Sequence, residues 1–418
     1  MNKEVKKCWD IALNILKPSR KEFEKGIKIH KESIVWDAYG FAPLYYFKSK
    51  EIEKIVKDGA SEIEMLDLKE EITQTGYLKD FSTREEFLKI WETAGVTCIT
   101  QNAGEESNLI EILIKRLARF IWLTDLLKPS LRKITSPEEV IVAKKANAHC
   151  LCLTTNGVPL TNQFISVEDE IKYIKVFYQL GVRMMHLTYN RRNLIGDGCM
   201  EEKDGGLSDF GKVVVKEMNK IGIIVDVAHS SLQTCLDACK ISSAPVVVSH
   251  SACMSLWEHP RNKTDKVISK IADTGGFIGI CCIPFFLGRT CDINAFLDHI
   301  VYVVKKFGSE YVAIGTDIAY QPPELEIEYK KLNSFMKKRG IKIRNKWNNF
   351  WRVKNKKVKI SEKTKSLVWT NFPLFTVGLV QRGLSEKEIR NILGENIIRV
   401  MKMVREVSQY KEPPILSH

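Results

Sequence analysis

Two histidines occupy equivalent places in the chain. His229 closes the apolar run IGIIVDVAHS (221–230), and His250 sits near the end of the next, APVVVSHS (244–251). Both runs are rich in β-branched residues and apolar almost throughout, the pattern of strands buried on both faces of a parallel sheet. Neighbouring strands lie about 4.8 Å apart, so imidazoles that end consecutive strands reach a single metal ion, with zinc favoured by nitrogen ligands. Without an ion they would form a hydrogen-bonded pair. Asp317, in AIGTDIAY, follows another apolar run. It could ligate the ion, carry a proton from a metal-bound water to a leaving amine, or cap the loop after it. Arg261, in EHPRNKTD, lies in the loop after the His250 run. Its guanidinium could clamp a substrate carboxylate through two parallel hydrogen bonds, or pair at the surface with Asp265 or Glu258.

Covalent catalysis is less well served. The chain has no GxSxG elbow. Ser249 and Ser251 flank His250, but side-chain alternation along a strand is expected to turn both away from it.

Positioning these groups needs a repeated element. Eight short apolar runs recur, at 33–39, 95–104, 148–157, 181–190, 221–230, 244–251, 275–284 and 311–320. Amphipathic stretches separate them, with Ser166 placed as a helix N-cap and Gly181 and Gly222 as C-caps. Strand and helix alternating eight times predict a (β/α)8 TIM barrel, an α/β fold whose strand C-termini converge on one mouth. A doubly wound open sheet is the alternative, but no GxGxxG or Walker-type loop follows the first run. Seven runs deliver a polar residue to the mouth: Tyr39, Asn102, Asn156, Tyr189 with Asn190, His229, His250 and Asp317. The seventh run, GFIGICCIP, delivers none. Residues 1–32 form a helical lead, and 33–418 the barrel domain. That domain includes a basic insert at about 328–360 and C-terminal cap helices at about 366–405, the second opening on Ser385 with Glu388 as a capping box.

Composition narrows the function classes. Of 418 residues, 44% are apolar and 28% charged, which suits a large core and excludes wholesale disorder. No stretch reaches the roughly 18–20 apolar residues of a membrane span, and the charged N-terminus lacks a signal-peptide core, so a cytoplasmic protein is expected. The eleven cysteines, an odd number without a CxxC pair, exclude a zinc ribbon and read as reduced thiols. The net charge of +13 belongs to one segment: residues 330–359 hold 13 Lys/Arg and no acid. Phe335, Trp347, Phe350 and Trp351 interleave it. A single such patch is weak ground for nucleic acid as a partner, and a solvated insert is the expected reading.

Several segments, in order, resemble the renal-type membrane dipeptidases: LGVRMMHLTYNRRN, GGLSDFGKVVVKEMNKIGIIVDVAHSS, PVVVSHSACMSLWEHPRNKTD, IADTGGFIGICCIPFFLG, AIGTDIAY and ILGENIIRV. The resemblance runs from about Ser33 to Val404 and implies a zinc dipeptidase on a (β/α)8 barrel, with a homodimer as family precedent. It carries two metal-binding histidines onto His229 and His250, the catalytic acid–base onto Asp317 and the carboxylate-binding arginine onto Arg261. Other family positions are replaced here. The first-strand His-x-Asp falls on Tyr39 and Phe41, the bridging Glu on Asn156 or Thr155, and the fourth-strand His on Tyr189. Phenylalanine cannot ligate and asparagine is a weaker ligand than a carboxylate, so a reduced, single-metal site is expected. His186 and Asp37 lie close by in sequence as candidates to replace lost ligands. The resulting expectation is a dipeptidase-like metallohydrolase cleaving small carboxylate-bearing amides. In it His229 and His250 hold zinc, Asp317 moves the proton, Arg261 binds the carboxylate, and Tyr189 with Asn156 orients the scissile carbonyl. The alternative is a catalytically silent protein that binds a small carboxylated ligand.

Overall fold

The computed structural model describes residues 2–103, 109–341 and 360–410. Its strands are β1 Trp36–Gly40, β2 Cys98–Asn102, β3 Leu131–Ile134, β4 His149–Thr155, β5 Val182–His186, β6 Ile224–Asp226, β7 Val246–Ser251, β8 Ile278–Ile280 and β9 Val312–Ile314. All but β3 follow one another side by side in the order β1-β2-β4-β5-β6-β7-β8-β9, every pairing parallel. The ring closes where the Asp317 N–H donates to Tyr39 O at 2.9 Å and the Phe41 N–H to Ile318 O at 3.3 Å. This is the (β/α)8 barrel that the strand rhythm predicts.

The sequence rhythm missed β3. It pairs with the first half of β4, Leu131 opposite His149 through Ile134 opposite Cys152, where β5 has not yet begun. β5 joins β4 only from Leu153 onward. Two glycines let the wall close. A Cβ on Gly279 of β8, or on Gly315 just past β9, would lie 1.9 Å from the Ser249 carbonyl oxygen, so neither position admits a side chain.

Helices wrap the wall, and their ends are set locally. The Ser166, Ser208, Ser231 and Thr264 side chains cap their helices by accepting from a backbone N–H. Gly222 ends the helix before β6 in the left-handed conformation that glycine tolerates. The helical lead comprises helices Lys3–Leu16 and Arg20–Glu32. His30 Nδ1 meets Thr376 Oγ1 at 2.8 Å, and Asn371 Nδ2 donates to Cys8 O at 3.1 Å, so the lead packs on the C-terminal helices. The expected Ser385–Glu388 capping box is present. The last helix, Asn396–Val407, lies across the strand starts: Asn396 donates to Ser309 O and Val312 O, and Arg399 to Gly275 O and Glu310 O. Ile397, Val400 and Met401 join Trp36, Cys98 and Phe277 in one buried cluster, so this helix shuts the end of the barrel opposite the mouth.

All eleven cysteines are free thiols, nine of them buried. Among the described residues no helix is long and apolar enough to cross a membrane. The basic segment begins on helix Pro323–Lys338, where Phe335 sits against Lys57 and Arg339. Its continuation from Lys342 to Lys359, with Trp347, Phe350 and Trp351, lies outside the described residues.

Candidate active site

Three histidines meet at the mouth. His229 Nε2 and His250 Nε2 are 2.9 Å apart, and His186, which ends β5, brings a third ring against both. One ligand atom from each lies within 4.8 Å of the others, and all three side chains are buried. Each ring is oriented from behind. His229 Nδ1 bonds Asn190 Oδ1 at 2.8 Å, an oxygen that also accepts from the Cys199 thiol. Because that oxygen only accepts, the His229 hydrogen sits on Nδ1 and the Nε2 lone pair faces His250. His250 Nδ1 meets Ser249 Oγ at 2.8 Å. His186 Nε2 faces Asp226 Oδ2 at 2.9 Å, and Nδ1 faces Thr155 O at 3.2 Å. Burial, reinforced by the Arg261 charge, holds the His229 and His250 rings well below the ordinary histidine pKa, so both are neutral at pH 7.

Two phenols flank this group. Tyr39 stacks on His250 at 3.8 Å between centroids, and Tyr189 on His229 at 4.0 Å. Phe41 stands edge-on to Tyr39. Tyr39 is therefore packed against the imidazoles, and Phe41 against Tyr39. Asn156, beyond the end of β4, is 4% exposed, and its Oδ1 has no hydrogen-bond partner.

The charged residues converge on the same place. Arg261 is 1% exposed. Its Nη1 donates to Ala228 O, while its Nη2 donates to His250 O at 3.2 Å and lies 3.3 Å from His229 Nε2. The pairing with Asp265 open to Arg261 from sequence is not formed; Asp265 pairs with Lys306. Asp317 follows β9 with φ 57, a left-handed conformation open to aspartate. Burial pushes its carboxyl up to about 7, with Arg261 and His186 opposing. Asp226 accepts from the Ala228 N–H at 2.9 Å and the Ser249 N–H at 3.1 Å. Burial alone would raise its carboxyl, but the facing His186 and the Ser249 donors hold it below the ordinary value.

The structure brings His229, His250, Tyr39, Tyr189 and Arg261 together, with Asp317 beyond the end of β9, whereas Asp37 is turned to Thr316 and Trp369, and two details depart from expectation. Ser249 bonds His250 instead of turning away. The register of β7 against β8 shifts between Val248 and Ser251, and this irregularity breaks the strict alternation. The seventh run does contribute a group: Cys281, whose thiol burial pushes up to about 12 with Asp317 nearby. His186, named from sequence as a candidate to replace a lost ligand, joins the histidine cluster although the 181–190 run reads as one strand. The ladder of β5 with β6 in fact ends at the His186–Asp226 pair, and that strand end is the signal that marks it.

A zinc site with bonds of about 2.0–2.1 Å sets tetrahedral nitrogen ligands about 3.3 Å apart, so the His229–His250 pair needs to open only by a few tenths of an ångström. Neutral rings, an outward lone pair and fixed second nitrogens make this donor set fit a metal.

The comparisons with known proteins agree. Dipeptidase verJ of Clonostachys rogersoniana is 33% identical over 238 residues, 55% of this chain and 50% of that protein. The chain spans about half the length of the curated relatives it matches. An amidohydrolase of Pseudomonas aeruginosa superposes with a TM-score of 0.67 at 25% identity, covering 91% of this chain and 98% of that one. A metallopeptidase of Rhodobacter sphaeroides, bound to a phosphinate mimic of L-Ala-D-Ala, shares the fold with a TM-score of 0.61 at 14% identity, covering 89% of this chain and all of that one. The sequence profile of the membrane dipeptidases, peptidase family M19, matches residues 24–367, and with that match over most of the barrel the chain belongs to this family.

Proposed function

We propose that the protein is a metal-dependent hydrolase that cleaves the amide bond of small carboxylate-bearing substrates, with one zinc ion per chain. The observation that carries this reading is the pair of neutral imidazole nitrogens 2.9 Å apart, at a barrel mouth that also holds Arg261 and Asp317. His229 and His250 would hold the ion; His186 lies beside them with its ring nitrogens turned to Asp226 Oδ2 and Thr155 O. When bound, zinc acidifies a water and polarises the scissile carbonyl. Arg261 has five N–H donors and directs three of its contacts at Ala228, His250 and His229, which leaves N–H groups for a substrate carboxylate. Asp317 holds or releases a proton near neutral pH and passes it to the leaving amine. Tyr189, stacked on His229, and Asn156 would orient the scissile carbonyl.

One observation favours a second reading, a protein that binds a small carboxylated ligand without turnover: Tyr39, onto which the resemblance carries a first-strand ligand, is stacked on His250 with Phe41 edge-on behind it. Metal content after purification without chelator, together with hydrolysis of a panel of dipeptides and N-acyl amino acids, separates the two. The hydrolase reading expects about one zinc per chain and cleavage that is lost with the metal in His250→Ala. Unchanged turnover in that variant, or no cleavage of any compound by zinc-loaded protein, overturns it.

A further inference from the structure

The helix Ile110–Leu126 buries Leu113, Leu117, Phe120 and Leu123 in the main core and turns a second apolar row outward. Ile114, Ala118, Trp122 and Leu126 recur at every fourth residue, so they stack along one face of the helix. All four are exposed, Ile114 at 42%, Trp122 at 49% and Leu126 at 44%. A groove of about 590 Å3 runs between this row and helix Glu62–Thr75, with Leu68, Ala118 and Trp122 in its lining. Apolar residues scattered singly over a surface are ordinary, but a continuous row of them marks a contact face. Ion pairs to the neighbouring helix hold this face in place. Arg119, 6% exposed, pairs with Asp67, Glu70 and Glu71, and Arg116 donates to both Glu70 oxygens. A face built in advance gives up little freedom on docking.

The row complements itself. Set antiparallel to its own copy about a two-fold axis at the level of Phe120, each residue meets the one equally far beyond Phe120. Ala118 then meets Trp122, Ile114 meets Leu126, and Lys115 meets Asp125. The largest side chain falls on the smallest, opposite charges come together, and rows of every fourth residue interdigitate. A parallel alignment would instead set Trp122 on Trp122 and Lys115 on Lys115. Lys115 now pairs with Asp67 at 2.5 Å and Asp125 with Lys128 at 2.9 Å, both in solvent, where ion pairs exchange partners at little cost. Glu64, Asp67 and Glu71 border the groove and oppose an anionic lipid surface as the occupant. We infer that the chain forms a two-fold dimer through the outer row of helix Ile110–Leu126, with Trp122 of each copy seated on Ala118 of the other.

Sedimentation velocity on the full chain, over a concentration series, tests this. A species of twice the chain mass is expected. Trp122→Glu and Ala118→Glu should each raise its dissociation constant about 100-fold or more, with an unchanged circular dichroism spectrum. Lys115→Asp and Asp125→Lys should each weaken the dimer, because like charges then face across the axis. An equimolar mixture of those two variants should form a heterodimer about tenfold or more tighter than either homodimer, since both charge pairs are restored in it. A wild-type chain that stays monomeric overturns the inference, as does a dimer indifferent to Trp122→Glu or a mixture no tighter than its components. Binding of wild-type monomer to vesicles containing phosphatidylserine, lost in Trp122→Glu, would assign the row to a membrane surface and overturns it too.

Discussion

Asp37 offers a test of the barrel interior that is independent of metal. It is fully buried in β1 and accepts from the Thr316 N–H at 2.8 Å, the Thr316 hydroxyl at 2.5 Å, Trp369 Nε1 at 3.2 Å and the Tyr39 N–H at 3.4 Å. Burial outweighs these donors and pushes its carboxyl from 3.8 to about 7. A carboxyl with a higher pKa folded than unfolded binds its proton more tightly when folded. Its stabilising contribution is therefore full below about pH 4 and is lost as pH rises through about 7. At about 1.4 kcal/mol per unit, this group alone removes about 2–3 kcal/mol of stability between pH 5 and pH 8. Asp37→Asn keeps the shape and an acceptor oxygen but has no proton to lose. Urea unfolding followed by tryptophan fluorescence at the two pH values should show a fall in stability that is about 2–3 kcal/mol smaller in the variant, other titrations cancelling in the comparison. An equal fall in both proteins would refute the claim that burial, and not the four donors, governs this carboxyl.

Asp317, also pushed up to about 7, must be ionised to accept a proton, so kcat/KM should rise with pH through about 7. That limb should vanish in Asp317→Asn, and a limb that persists assigns the proton to another group. Asn190→Ala removes the acceptor that fixes the His229 tautomer and should weaken zinc binding about 10–100-fold in a chelator competition; unchanged affinity would show that the ring needs no such support. Arg261→Gln should raise KM more for substrates with a free carboxylate than for their amidated counterparts, whereas equal effects would remove its clamping role. Gly279→Ala drives a Cβ to within 1.9 Å of Ser249 O and should lower stability by about 2–3 kcal/mol, read as a lower thermal midpoint; a neutral result would mean that the β7–β8 contact yields easily.

The barrel was legible because its wall strands are apolar almost throughout and separated by helices of ordinary length. β3 was not, for a physical reason. LRKI places Arg132 and Lys133 on a half-exposed edge, so it lacks the apolar continuity of a wall strand. In the site, His229 and His250 could be read because each ends an apolar run. His186 lies within such a run, and only the ladder, which stops opposite Asp226, turns it into a strand end. Ser249 bonds its sequence neighbour across a shifted register that a residue string does not record. The burial of Arg261, folded back onto Ala228 and His250, likewise arises from the loop's path and not from local spacing.

The floor helix, Asn396–Val407, is translated well after the last wall strand has left the ribosome. A nascent chain therefore carries all eight staves above an open drain, with Trp36, Cys98 and Phe277 still wet from below. Translation must pass Val407 before the vessel becomes watertight. A message truncated between the codons for Ile314 and Asn396 would yield a leaking barrel, an obvious client for chaperones and proteases.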